Sequence, residues 1–190
     1  VILDKTGTVT EGRPEVTDIL VMDGTGENEF LKNAASLEKL SEHPLSGAVV
    51  KEAERRGLLL SSASGLEQIP GRGIAGVVDG RKIYAGNAML MQDNGIDTPD
   101  GIKYAEEGKT QLYFAADGRM AGIIALADAV KKESASAIAE MKRRGLEVIM
   151  MTGDNELTAE AVGKRVGVDS VIAGVMPQDK ESMVGRLQQS

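Results

Sequence analysis

The chain of 190 residues has no cysteine, no tryptophan, one histidine and only 3% aromatic residues. Without cysteine there is no disulfide framework and no thiolate metal site, and the redox compartment leaves no mark on the sequence. Few aromatics mean few stacking platforms. No apolar run approaches the roughly 20 residues that cross a bilayer as a helix. Basic residues are outnumbered, and a net charge of -7 excludes a broad nucleic-acid-binding face. What remains is 42% hydrophobic and 27% charged, the balance of an ordinary globular protein. The length suits one large domain or two small ones.

Two patterns share the chain. Toward the end, Lys131–Arg144 has the spacing of a helix, with Ala135, Ile138, Ala139 and Met141 on one face and Gly145 as its stop. The apolar run in Glu147–Met151 follows, then TGDN, then a helix over Glu156–Val166 with Leu157, Ala161, Val162 and Val166 inward. A short strand at Ser170–Ala173 and a helix from about Gln178 complete the series. Alternating strand and helix predict a parallel sheet, and wholly apolar strands predict cover on both faces. The first residues, VIL before Asp4, have the same character.

The middle differs. Asp79-Gly80 and Asp117-Gly118 each separate strand-like runs, the signature of two-residue hairpins. Helical stretches are expected near Glu29–Leu40, Pro44–Arg56 and Pro99–Glu107, and an antiparallel sheet with helices on one side accounts for the set. The expected organisation is an α/β parallel-sheet domain from residues 1–21 and 124–190, interrupted by an α+β domain over residues 22–123.

Asp4 ends the first apolar run, and a turn residue there needs no function. Yet ligands of open parallel sheets bind beyond the carboxyl ends of the strands. Asp4, the Thr152-Gly153-Asp154 turn and Pro177-Gln178-Asp179-Lys180 each follow such a strand. A carboxylate, a hydroxyl and an amine then converge on one crevice. An aspartate can attack a phosphoryl group and become an aspartyl phosphate. Lys180 and a Mg²⁺ ion would supply the positive charge that the transfer needs.

DKTGT at Asp4–Thr8, TGDN at Thr152–Asn155 and the Pro-x-x-Lys ending at Lys180 resemble the P-type ATPases of the haloacid-dehalogenase-like superfamily. The resemblance implies that ATP phosphorylates Asp4 within the Asp4-Lys5-Thr6 motif. It implies that Thr152, with Gly153, and Lys180 hold the phosphoryl group, that Asp154 lines the nucleotide side, and that Mg²⁺ sits against Asp4 and the Thr6 carbonyl. Phosphatases of the superfamily carry a general acid two residues after the nucleophile. Thr6 stands there and is no useful acid near neutral pH, so the phosphoenzyme is expected to persist.

The middle region narrows the resemblance. Glu38, the His43-Pro44 pair before an apolar helical stripe, Gly71-x-Gly73 and Gly86-Asn87 resemble the nucleotide-binding domain of heavy-metal-transporting P-type ATPases. By that resemblance Glu38, His43, Gly71, Gly73 and Asn87, with Gly86, surround adenine and ribose. Taken alone, His43 could merely precede a helix, and the glycines could merely accommodate a bulge. Residues 71–76 read G-x-G-x-x-G, but a hairpin follows rather than a helix, so this is no dinucleotide fingerprint.

The general run of the chain looks most like copper exporters, with zinc or cadmium pumps next. A soluble phosphatase with a large cap and a non-catalytic nucleotide-binding module are the alternatives from other classes. The family pattern continues with a Gly-Asp-Gly-x-Asn-Asp segment that this chain lacks. The expectation is therefore a piece of a larger pump, with a truncated phosphorylation domain that binds nucleotide without full turnover. Its implied partners are ATP, an actuator domain, membrane helices and a transported metal ion, not nucleic acid. Its implied place is the cytoplasmic portion of an integral membrane protein.

Overall fold

The computed structural model describes residues 1–99, 102–176, 179 and 185. The chain divides into two compact units. The first comprises Val1–Arg13, Ile102–Thr110 and Asp128–Ser190; the second comprises Pro14–Gly101 and Gln111–Ala127. Two of the four divisions fall inside long strands, β2 (Thr10–Val21) and β7 (Arg119–Val130), which run from one unit into the other.

In the first unit, β1 (Ile2–Asp4), β8 (Ile149–Met151) and β9 (Ser170–Ile172) form a parallel sheet in the order β1-β8-β9. Asp4 lies in register with Met151, and Met151 with Ile172. The expected strand–helix alternation is present. Helix α5 spans Ser134–Arg143 and α6 spans Glu156–Val166. Their Ile138, Val162 and Val166 pack with Val9, Val148 and Met150 into one core.

The faces of both helices depart from expectation. In α5, Ala135 and Ala139 are exposed, while Ser134 is buried because its hydroxyl donates to the Val9 carbonyl at 2.7 Å. In α6 the inward stripe is Thr158, Ala159, Val162, Gly163 and Val166, and Leu157 is exposed. Small residues set this rotation. A Cβ on Gly163 would lie 2.5 Å from Val171, so the helix sits on the sheet through a glycine rather than through its leucine. The helix expected from Gln178 lies outside the described residues.

The second unit is a six-stranded sheet in the order β2-β7-β6-β5-β4-β3, with β3 Ala63–Ile69, β4 Gly73–Val78, β5 Arg81–Gly86 and β6 Thr110–Ala116. Both Asp-Gly hairpins form. Asp79 and Asp117 take φ of 49° and 50°, with Gly80 and Gly118 at 79° and 77°, the positive pair of a type I′ turn.

Helices occupy both faces of this sheet, not one. Along β6, Phe114 and Ala116 join α1 (Glu27–Glu38) and α2 (Pro44–Arg55) in one core. Tyr113 and Ala115 point the other way, into a second core with Leu90 and Met91 of α3 (Ala88–Asp93). Helix α3 has only six residues, too short for periodicity to reveal; the Asn87 side chain caps it by accepting from Leu90 N at 3.0 Å. The stretch near Pro99–Glu107 yields α4, Ile102–Glu106, which packs on α6 in the first unit instead of joining the inserted sheet.

Glu52 on α2 accepts from Arg55 at 2.7 and 2.8 Å and from Arg56 at 2.7 Å. The Arg55 hydrogen bond chiefly, then Arg56, lowers its pKa to about 2. The folded value lies below the unfolded one, so this stabilisation is complete above about pH 4.5 and is lost as pH falls toward 2. Thermal melts between pH 2 and 5 are expected to show a shallower acid limb for Glu52→Gln than for the wild type. Parallel limbs would refute the assignment.

Candidate functional site

Asp4 is exposed at the carboxyl end of β1. The backbone then turns sharply. Thr6 at φ -75°, ψ 121° and Gly7 at φ 78°, ψ -13° have the geometry of a type II turn, whose third position needs glycine. The Thr10 N–H donates to the Lys5 carbonyl, and Lys131 Nζ donates to the Gly7 carbonyl at 2.7 Å. The carbonyls on either side of Thr6 are thus engaged.

Lys5 turns away from the surface and is only 7% exposed. Its ammonium pairs with Asp154 Oδ2, joining the end of β1 to the turn after β8. Thr152 Oγ1 donates to the same oxygen at 3.1 Å and accepts from Asp154 N at 3.2 Å. Thr110 Oγ1 donates to Asp154 Oδ1 at 3.3 Å. The turn is fastened to β9 as well: Thr152 N donates to the Ile172 carbonyl at 3.0 Å and Gly174 N to the Asp154 carbonyl at 2.8 Å. Gly153 faces the Val175 carbonyl, where a Cβ would stand 3.3 Å away. The structure therefore brings Asp4, Lys5 and Thr6 to the same sheet end as Thr152, Gly153 and Asp154. Lys180 lies outside the described residues.

Asp128, at the end of β7, was not singled out in the sequence. Its carboxylate accepts from Thr10 Oγ1 at 2.5 Å, Gly12 N at 3.1 Å and Arg13 N at 3.0 Å. With Lys131 and Ser134 it anchors the segment that follows Asp4. One signal was available: Asp128 is the one charged residue in the otherwise apolar run Met120–Val130, and Lys131 follows that run directly.

The second set of residues lies in the other unit. Glu38 ends α1 and is 3% exposed. Burial raises its pKa, while the hydrogen bond that Ser46 donates to it opposes the rise. His43 is exposed and caps α2, its Nδ1 accepting from Leu45 N at 3.2 Å. That bond places the neutral ring's proton on Nε2.

Gly73 and Gly86 are paired across β4 and β5. A Cβ on Gly73 would lie 2.1 Å from the Ala85 carbonyl oxygen, and one on Gly86 would lie 2.2 Å from that of Arg72. Asn87 closes the turn by donating to the Gly71 carbonyl at 2.9 Å. Close packing alone thus requires glycine at 73 and 86. The absence of a dinucleotide fingerprint is borne out, since residues 73–78 form a strand followed by a hairpin. Among the described residues, no group of three or more His, Asp or Glu side chains forms a metal cage. No described helix is long and apolar enough to cross a membrane.

The whole chain, residues 1–190, matches the haloacid dehalogenase-like hydrolase family. It is 43% identical over 190 residues to a copper-transporting P-type ATPase of Rhizobium leguminosarum bv. viciae, covering 98% of this chain and 23% of that protein. It is 39% identical over 193 residues to a silver exporting P-type ATPase of Salmonella typhimurium, covering 100% and 23%. Among solved structures, a zinc-transporting PIB-type ATPase in the E2.Pi state matches with a TM-score of 0.67 at 32% identity, covering 99% of this chain and 31% of the other. The chain spans about a quarter of the length of the curated relatives it matches.

Two stability changes are expected. Asp128→Asn places an amide donor against Thr10, Gly12 and Arg13, and should cost about 2 kcal/mol in urea unfolding, the scale of hydrogen bonds to a charged group. Glu38→Gln keeps an acceptor for Ser46 and removes a buried charge. Because the folded pKa of Glu38 is raised, the wild type loses stability as pH rises through the unfolded value. The variant should therefore melt higher than wild type at pH 8, with a smaller gain at pH 4; an equal gain at both would refute it.

Proposed function

The chain belongs to the haloacid dehalogenase-like hydrolases, and from that premise we propose that it forms the phosphorylation and nucleotide-binding parts of a heavy-metal-transporting P-type ATPase. The carrying observation is Asp4 at the end of β1, in register with β8 and locked to its TGD turn through Lys5 and Asp154. In this reading the unit that contains Asp4 carries phosphorylation and the unit that contains His43 carries nucleotide binding.

Asp4 attacks the γ-phosphorus of ATP, forming an aspartyl phosphate as the bond to the ADP oxygen breaks. Thr152 and Lys180 hold the phosphoryl oxygens, with Gly153 keeping the turn close. Two hard oxygen donors, the Asp4 carboxylate and the Thr6 carbonyl, suit Mg²⁺, which keeps water and phosphate oxygens among its ligands and needs no protein cage. When bound, the ion neutralises charge between Asp4 and the triphosphate. Thr6 offers no proton for hydrolysis, which favours a lasting phosphoenzyme over a phosphatase.

Adenine and ribose bind around Glu38, His43, Gly71, Gly73, Gly86 and Asn87. His43 offers a ring face to adenine, and its Nε2, opposite the Nδ1 that caps α2, faces away from that cap. Copper is the favoured cargo, because the copper-transporting relative is 43% identical. The zinc-transporting structure, 32% identical, supports zinc as the second reading. The transported ion, an actuator domain and membrane helices are the further partners, and the chain lies on the cytoplasmic side of the membrane.

ATP titration calorimetry on this chain is expected to show His43→Gln weakening binding by about 1–2 kcal/mol, one lost contact. In the full-length polypeptide, Asp4→Asn should abolish acid-stable label from γ-labelled ATP. Label retained in Asp4→Asn would remove Asp4 as the nucleophile.

A further inference from the structure

The segment Ile102–Thr110 belongs to the unit that carries Asp4, although its sequence neighbours on both sides belong to the other. It is seated on α6. Ala105 is buried, Gly108 leaves only 3.2 Å between a Cβ and Val162, and Thr158 Oγ1 donates to the Lys109 carbonyl at 3.1 Å. Thr110 ends this seat, with its hydroxyl on Asp154 Oδ1.

We propose that Thr110 is a positioning residue: its hydroxyl holds Asp154 in place while the Thr152 hydroxyl turns from Asp154 to an incoming phosphoryl oxygen. The proposal rests on the reading of Asp4 and Thr152 given above. A threonine hydroxyl has one proton to donate. That of Thr152 is given to Asp154 Oδ2, so it serves a phosphoryl group only by leaving the carboxylate. The Asp154 side chain is 16% exposed, and a carboxylate with little water around it that loses a donor moves to recover one. Lys5 on Oδ2 and Thr110 on Oδ1 hold the two oxygens separately, so the carboxylate keeps both its orientation and a donor on each oxygen. The backbone of the TGD turn, through which Thr152 is aimed, then stays fixed during the exchange.

The test compares Thr110→Val, which keeps the shape and removes the donor, with Thr110→Ser, which keeps the donor. Carboxyl-carbon NMR of this chain at fixed neutral pH reads the surroundings of the Asp154 carboxylate. Losing the hydroxyl donor on Oδ1 moves that resonance in Thr110→Val and leaves it in place in Thr110→Ser. In the full-length polypeptide, phosphoenzyme formation at saturating ATP is expected to fall about fivefold in Thr110→Val, the rate equivalent of one ordinary hydrogen bond. The ATP concentration for half-saturation should not change, and Thr110→Ser should recover the rate. An unchanged Asp154 carboxyl resonance, or an unchanged rate in Thr110→Val, overturns the proposal. Label that survives Asp4→Asn overturns the underlying reading instead, and the Asp154 carboxyl resonance still decides whether Thr110 holds the carboxylate.

Discussion

The ion pair between Lys5 and Asp154 fixes the geometry on which the candidate chemistry depends. Parallel register sets Asp4 beside Met151, but register alone leaves the two following turns free to diverge. A lysine only 7% exposed cannot be left without its anion, so the turns after β1 and β8 are held together by the cost of separating them. The side chains of Thr152 and Thr110 complete the shell of Asp154. On the other flank, Asp128, Lys131 and Ser134 tie down the segment after the Thr6-Gly7 turn. The exposed carboxylate of Asp4 is thus carried on backbone anchored from two sides. Such preorganisation is what phosphoryl transfer asks of a protein, since positioning and charge supply most of its catalysis.

The second unit shows a different compromise. Glu38 is buried where burial raises its pKa, and its one named compensation is the Ser46 hydroxyl. An apolar residue would suit that end of α1 better for stability alone. The glycine pair is the converse case. Gly73 and Gly86 have a packing reason to exist whether or not a nucleotide approaches them, because the Ala85 and Arg72 carbonyls occupy the space of any side chain. A buried acid without a packing reason is therefore the stronger sign of function there, and the glycines are the weaker one.

Much of this was legible because the signals were local. Asp-Gly dipeptides dictated both hairpins through their positive φ, and DKTGT and TGDN marked strand ends by composition. The family resemblance read from those strings agrees with the family match over the whole chain. Long-range features were not legible. The facing of α6 was decided by Gly163 against Val171, which no periodicity in the helix encodes. The cover of the sheet's second face came from α3, whose six residues give no repeat. Asp128 was not singled out, because its partners lie more than a hundred positions away in the chain.

The two hairpin turns carry a liability in covalent chemistry. Asp-Gly is the dipeptide in which the following amide nitrogen most readily attacks the aspartyl carboxyl, closing a succinimide that reopens largely as isoaspartate. Glycine, which makes the turn possible, also leaves that nitrogen unshielded. In both turns the carboxylate is tethered: Asp79 by Ser61 at 2.8 Å and Lys32 at 3.3 Å, Asp117 by Arg81 at 2.9 Å and the Lys82 amide at 3.1 Å. Each tether holds the carboxyl carbon in a fixed rotamer and keeps it ionised, the form least open to attack. The same contacts that secure the hairpins therefore slow the chemical ageing of the chain at these two bonds.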